Sequence, residues 1–302
     1  MAQCALVIIA IFTINTRTHK EIATTCTALE SQLYKSTLGD VFNGVVAQAV
    51  YAENISHGEE ILAKNADTRL PLASLVKLMT ARIVLNFGTQ SDTTYTLTEK
   101  DTAVFGTIPG IVPGATFTTK DLILASLVSS SNDAAEALMN STSLENDIFF
   151  DAMNKEAASL GLNSLQFSSA TGLDIAQQAT GYGNARDISR LYAKNITDYP
   201  NYFVFPQNVL KIVSRDGSIV TLNPTNTAIP QLELLVASKT GYTLTAGGNL
   251  AVIWQHPIRP NEYISAVALG STISGRFSDI VRMYNHINRY FVYQQTLTTI
   301  CT

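Results

Sequence analysis

Along this chain the spacing of apolar residues changes twice, dividing it into strand-rich ends and a helix-rich middle. Residues 21–37 carry a helical but polar pattern that reads as a connector. The stretch 42–51 is rich in Val and Ala, and a short apolar run at 60–63 follows across 54–58, where turn residues gather. That pair predicts a hairpin. Pro71 then stands where the first turn of a helix tolerates a missing N–H, and Leu75, Leu78, Met79, Ile83 and Val84 recur behind it at helical spacing. Between about 86 and 230 more helical patterns appear, at 121–128, 133–139, 149–160 and 185–193. Asp133-x-x-Glu136 offers the second of these a capping-box-like start. Residues 211–221 alternate about Asp216-Gly217 as a short strand pair. Strand character returns at 232–237, 250–254 and 263–269, the first two facing each other across Gly247-Gly248, and a helix at 278–290 closes the chain. Strands from both ends with helices between them define an α+β fold: a mostly antiparallel sheet flanked by N- and C-terminal helices, with an inserted helical region.

Composition narrows the chemistry mainly by exclusion. A chain of 302 residues, 46% of them hydrophobic, can bury the core of one large domain or two small ones. A net charge of -4 with Lys and Arg scattered along the chain argues against a nucleic-acid partner. Cys4, Cys26 and Cys301 lie near the ends, which leaves the body without a cysteine nucleophile or a Cys-rich metal site; Cys26 and Cys301 would pair only if the termini meet. His19, His57, His256 and His286 have no metal spacing, and phosphate-loop, dinucleotide and Gly-x-Ser-x-Gly signatures are missing, so neither metal nor cofactor is expected. An apolar run at 5–14 has the length of a signal-peptide core and is too short to span a bilayer, yet no Lys or Arg precedes it and no small-x-small site follows. It reads either as an export signal or anchor, or as a packed N-terminal element.

Three short elements point to one reaction. Ser74-x-x-Lys77 and Ser130-x-Asn132 would each occur about once by chance in a chain of this size and composition, and each has a bland reading as a helix start or a cap. Lys239-Thr240-Gly241 is rarer and lies on the first arm of the predicted 232–254 hairpin. Their order describes a serine acyl-transfer site. On a helix Lys77 lies over the Ser74 hydroxyl, and it serves as a base only when neutral; the helix N-terminus, a partly closed cleft and a second cation at Lys239 all favour that state. A hydroxyl at Ser130 both donates and accepts, which suits a proton relay, and the Asn132 amide matches both groups of a peptide bond. Lys239 and Thr240 supply a charge and a hydroxyl for a substrate carboxylate, while Gly241 leaves room for substrate to approach.

Five blocks carry these elements in order: 66–80, 127–135, 184–188, the Lys-Thr-Gly segment 236–243, and 267–276. With them the chain, from about 40 to 290, resembles the penicillin-binding serine D,D-peptidases of low molecular mass, the D-alanyl-D-alanine carboxypeptidase type with a β-lactamase/transpeptidase-like fold. The resemblance implies Ser74, Lys77 and Ser130 as catalytic residues and Asn132, Lys239, Thr240, Gly241, Tyr242 and Arg276 as substrate-binding ones, with the backbone N–H groups of Ser74 and Tyr242 as oxyanion hole. It implies peptidoglycan stem peptides as substrate, β-lactams as covalent inhibitors and an extracytoplasmic location, with membrane association if the N-terminal segment is an anchor. Residues 1–37 then form a signal- or anchor-like segment and connector, and 38–302 the D,D-peptidase domain, with its helical region at about 86–230. Rival readings are a D,D-endopeptidase with the same residues, a non-catalytic penicillin-fold protein, and a β-lactamase, for which the Glu-x-x-Leu-Asn string is missing. Tyr182-Gly183-Asn184 is a rival match to the Ser130 element, and its neighbours mark it as structural.

Overall fold

A computed structural model describes residues 19–88, 92–106 and 108–301; the apolar run at 5–14 and Cys4 lie outside them. Five strands form the main sheet: β1 (Ala49–Asn54), β2 (Glu59–Lys64), β3 (Leu235–Thr243), β4 (Gly247–Gln255) and β5 (Tyr263–Ser271). Their spatial order is β3-β4-β5-β1-β2 and every pairing is antiparallel. The C-terminal strands thus sit beside the N-terminal hairpin, as strands from both ends require. Alternate residues face two separate cores. Tyr51, Ala237, Ala251, Ile253, Val267 and Leu269 pack toward the inserted helices. Val50, Val252, Trp254, Ile264 and Ala266 pack instead against Ile280, Met283 and Ile287 of the C-terminal helix. Because both faces are covered, the central strands read in sequence as unbroken apolar runs. Trp254 is wholly buried, and its indole N–H donates to Asn288 Oδ1 at 2.9 Å, so its polar edge is satisfied.

The flanking helices are α1 (His19–Thr37) and α7 (Gly275–Cys301), and the inserted region contains α2 (Lys77–Asn86), α3 (Thr119–Val128), α4 (Asn132–Ser141), α5 (Asn146–Ser159) and α6 (Ala185–Asp198). Helix α2 is buried from Lys77 to Leu85, so it is the axis around which the others pack. Local chemistry sets the ends of its neighbours. Thr118 and Asp121 form a capping box on α3, and the Asn184 side chain caps α6 by accepting from Asp187 N at 2.7 Å. Helix α4 starts differently from the Asp133-x-x-Glu136 expectation: Ser131 is its cap, accepting from Ala134 N at 3.1 Å, and Asp133 instead accepts from Ile108 N.

Pro71 does not open the helix. Leu70–Pro71 is a two-residue strand paired with Tyr182 and Gly183, and a 3-10 turn, Ala73–Val76, carries the chain into α2. The rival match at Tyr182-Gly183-Asn184 is therefore spent on pinning this entry strand and capping α6. The change of helix type helps the site, because side chains three apart eclipse on a 3-10 turn.

At the opposite end α1 docks on α7 through Leu29, Leu33 and Leu297, and Cys26 is disulfide-bonded to Cys301 with their Cα atoms 6.2 Å apart. The two flanking helices do meet. The bond closes a separation of 275 residues, so it removes much freedom from the unfolded chain. Reduction, or Cys26→Ser, is expected to lower unfolding stability by about 2–4 kcal/mol. Urea titrations with and without reductant check this; coincident transitions would mean that the bond constrains nothing.

Candidate active site

Ser74 lies in the 3-10 turn with its side chain half-buried, and Lys77 is the first residue of α2 and wholly buried. Lys77 Nζ is 2.8 Å from Ser74 Oγ, 2.7 Å from Asn132 Oδ1 and 2.8 Å from the carbonyl oxygen of Thr171. The Asn132 amide is oriented by its other end, since Nδ2 donates to the Phe105 carbonyl at 2.6 Å and leaves Oδ1 facing the lysine. Asn132 Oδ1 and the Thr171 carbonyl can only accept. A neutral amine has two hydrogens and one lone pair, so these two acceptors take the hydrogens and the lone pair is left for the Ser74 hydroxyl. Burial pushes the Lys77 pKa down to about 7, opposed only in part by the negative charge of Glu136. The site thus holds near neutral pH a base aimed at a hydroxyl.

Backbone geometry holds this pair in place. Ala73 has a φ of 48°, a left-handed conformation that costs a non-glycine residue about 1–2 kcal/mol. Asn249 of β4 donates to the Pro71 carbonyl at 3.0 Å and accepts from Gly270 N at 2.8 Å, tying the entry strand to the sheet. Gly172, with a φ of +79°, runs so close that a Cβ there would stand 2.0 Å from the Ala73 carbonyl oxygen. That close approach lets the neighbouring Thr171 carbonyl reach Lys77.

The Lys-Thr-Gly segment lies on β3, the edge strand of the sheet, beside the 3-10 turn. Here too glycine is required by contact, because a Cβ on Gly241 would meet the Leu72 carbonyl oxygen at 2.9 Å and Ser74 N at 3.3 Å. The same contact puts the Gly241–Tyr242 backbone next to the Ser74 amide; the Tyr242 side chain itself is largely exposed. Lys239 is buried, and its Nζ donates to Ser130 Oγ at 2.7 Å and to the Thr240 carbonyl at 2.9 Å. Burial, with further repulsion from Lys77 and Arg276, holds its pKa well below the ordinary lysine value. Ser130, between α3 and α4, has a φ of 57°, and this turn throws its hydroxyl across to Lys239. No hydrogen bond joins Ser130 to Lys77 among the described residues. Thr240 Oγ1 lies 2.6 Å from Thr225 Oγ1. Arg276, at the start of α7, is buried and its Nη1 donates to the Gly241 carbonyl at 2.6 Å.

All nine residues singled out from the sequence therefore fall in one region, between β3 and the loops that lead into α2 and α4. Thr171, Asn249 and Thr225 also belong to it and were not foreseen. Of the three only Thr171 leaves any mark in the sequence, through the glycine that follows it, Gly172. The arrangement provides a hydroxyl with a base, two further basic side chains, a second hydroxyl on one of them, and the edge strand of the described sheet. The described residues contain no cluster of His, Cys, Asp or Glu that could hold a metal ion.

Comparison with known proteins places the chain in a family. The sequence pattern of the family described as D-alanyl-D-alanine carboxypeptidase matches residues 44–257. A D-alanyl-D-alanine endopeptidase of Haemophilus influenzae is 26% identical over 249 residues, covering 78% of this chain and 80% of that protein. A D-alanyl-D-alanine carboxypeptidase of Escherichia coli is 27% identical over 262 residues, covering 81% of this chain but only 61% of its own length. Among solved structures, a penicillin-binding protein of Listeria monocytogenes in its ampicillin-bound form aligns with a TM-score of 0.68 and 27% identity, covering 80% of this chain and 98% of that one. A Streptomyces DD-transpeptidase aligns with a TM-score of 0.71 at 24% identity, over 82% of this chain and 98% of that one, and attests the fold.

Proposed function

This chain belongs to the D-alanyl-D-alanine carboxypeptidase family, and from that premise we propose that it is a serine peptidase that removes the terminal D-alanine from peptidoglycan stem peptides ending in D-Ala-D-Ala. The observation that carries the reading is the lone pair of Lys77 left facing Ser74 once Asn132 and Thr171 have taken its hydrogens.

In the proposed reaction the peptide lies along the free edge of β3. Its terminal carboxylate meets Lys239 and Thr240, with Arg276 adding positive charge and bracing the strand. The carboxylate favours the ammonium form of Lys239, which burial alone disfavours. Ser74 Oγ attacks the carbonyl of the penultimate residue while Lys77 takes its proton, and the carbonyl oxygen is held by the N–H groups of Ser74 and Tyr242. The C–N bond breaks as a proton reaches the departing amine, with the Ser130 hydroxyl as relay. Water then cleaves the Ser74 ester and releases the shortened peptide. A β-lactam presents the same carbonyl and carboxylate and acylates the same oxygen. The Cys26–Cys301 disulfide supports an extracytoplasmic location, where such a bond persists. No helix of the described residues is long and apolar enough to cross a membrane.

Cross-link cleavage is the second reading, favoured by relatives in Haemophilus influenzae and Pseudomonas aeruginosa that are D-alanyl-D-alanine endopeptidases at 26% and 27% identity. Kinetics on a D-Ala-D-Ala pentapeptide and on a cross-linked dimer separate the two. A higher kcat/KM for release of free D-alanine is expected; a higher value on the dimer would make the protein an endopeptidase.

A further inference from the structure

Thr225 has no place in the chemistry above, yet its hydroxyl is 2.6 Å from that of Thr240, with either oxygen able to donate. It lies in the loop after the hairpin Leu210–Val213/Ile219–Leu222. That loop is itself anchored to the end of α3: Thr225 N donates to the Val128 carbonyl at 3.2 Å, and Ser129 Oγ donates to the Asn223 carbonyl at 3.0 Å. The next residue after Ser129 is Ser130. A short strap therefore joins the turn that presents Ser130 to the strand that presents Thr240.

Proton counting gives the contact a direction once substrate is present. Thr240 has one hydroxyl hydrogen, and a carboxylate can only accept, so that hydrogen goes to the carboxylate. Thr225 must then donate to Thr240 Oγ1. Its other acceptor, the Val128 carbonyl, is 3.4 Å from its Oγ1, too long to hold the hydrogen strongly. The result is a chain running from the Thr225 hydroxyl through the Thr240 hydroxyl to the carboxylate, in which each bond strengthens the next.

We propose that Thr225 is a positioning residue for recognition of the substrate's terminal carboxylate, acting through Thr240. This rests on the reading of the site given above. It acts on binding rather than on the Ser74–Lys77 step, because its hydroxyl reaches Thr240 and the Val128 carbonyl, whereas Lys77 is held by Ser74, Asn132 and Thr171.

The test is Thr225→Val, which keeps the shape and removes the hydroxyl, beside Thr225→Ser, which restores it. Steady-state kinetics on the D-Ala-D-Ala peptide are read together with the initial binding constant and the acylation rate for a penicillin. Thr225→Val is expected to raise KM and weaken the initial penicillin complex by about three- to tenfold, the scale of one hydrogen bond, with kcat and the acylation step within about twofold of wild type. Thr225→Ser is expected to match wild type. Adding Thr225→Val to Thr240→Val should produce no further loss, because the first acts only through the second. The inference is overturned if Thr225→Val leaves both binding measures unchanged, if the serine variant is as impaired as the valine, or if the two losses multiply in the double variant. A wild-type protein that neither releases D-alanine nor binds penicillin would instead overturn the functional reading itself.

Discussion

Replacing Ser74 by alanine is expected to abolish both the covalent adduct with a fluorescent penicillin and the release of D-alanine, while leaving the protein folded. The reaction passes through an ester on one oxygen, and Ser74 carries the hydroxyl that the Lys77 lone pair is left to face once Asn132 and Thr171 have taken the lysine's hydrogens. Removing that oxygen costs the fold one hydrogen bond on a half-buried side chain, about 1 kcal/mol. Labelling and thermal melting of the two proteins check the expectation together. An adduct that persists in a folded Ser74→Ala protein would place the nucleophile elsewhere.

The second large effect is expected at Lys77. Methionine preserves its length and suits its buried surroundings, but offers no basic lone pair to the serine. Loss of a positioned base costs about 10²–10⁴ in rate, so acylation of Lys77→Met by penicillin should be slower by that factor. Arginine is predicted to do no better, because a guanidinium does not give up its proton in this range. A rapid-quench acylation time course distinguishes the outcomes. A Lys77→Met variant within a few-fold of wild type would mean that another group accepts the proton.

These effects could be anticipated from sequence because three short elements, each built of common residue types, follow one another in one order along the chain. Ser74-x-x-Lys77 and Lys239-Thr240-Gly241 depend on side-chain identity and on local backbone repeats, both of which are written in the chain. The sheet was legible for a related reason: strands such as β4 and β5, covered on both sides, cannot carry polar residues at alternate positions. What stayed hidden is tertiary. The 3-10 turn at Ala73–Val76 starts with the left-handed φ of Ala73 and is approached closely by Gly172 and Gly241, which lie far along the chain. Helix α2 reads as one-sided by its apolar spacing, but it is buried all round because Lys77, Thr80 and Arg82 find partners in other segments. Thr171 contributes a backbone carbonyl, which every residue has. Thr225 and Asn249 contribute common polar groups whose partners lie 15 and 178 residues away. Arg276 was reached through family resemblance, and its contact with the Gly241 carbonyl is a feature of the folded chain alone.

In the proposed reaction, burial strips Lys77 of its proton near neutral pH so that it can activate Ser74. The most direct test is the pH dependence of the rate at which wild-type protein is acylated by penicillin. A lysine with a pKa held down to about 7 is mostly charged below that pH and mostly neutral above it. The rate should therefore rise as pH increases through about 7 and level off well before the ordinary lysine range. A rate that is flat across this window, or that keeps climbing toward the pKa of a solvent-exposed lysine, would contradict the account.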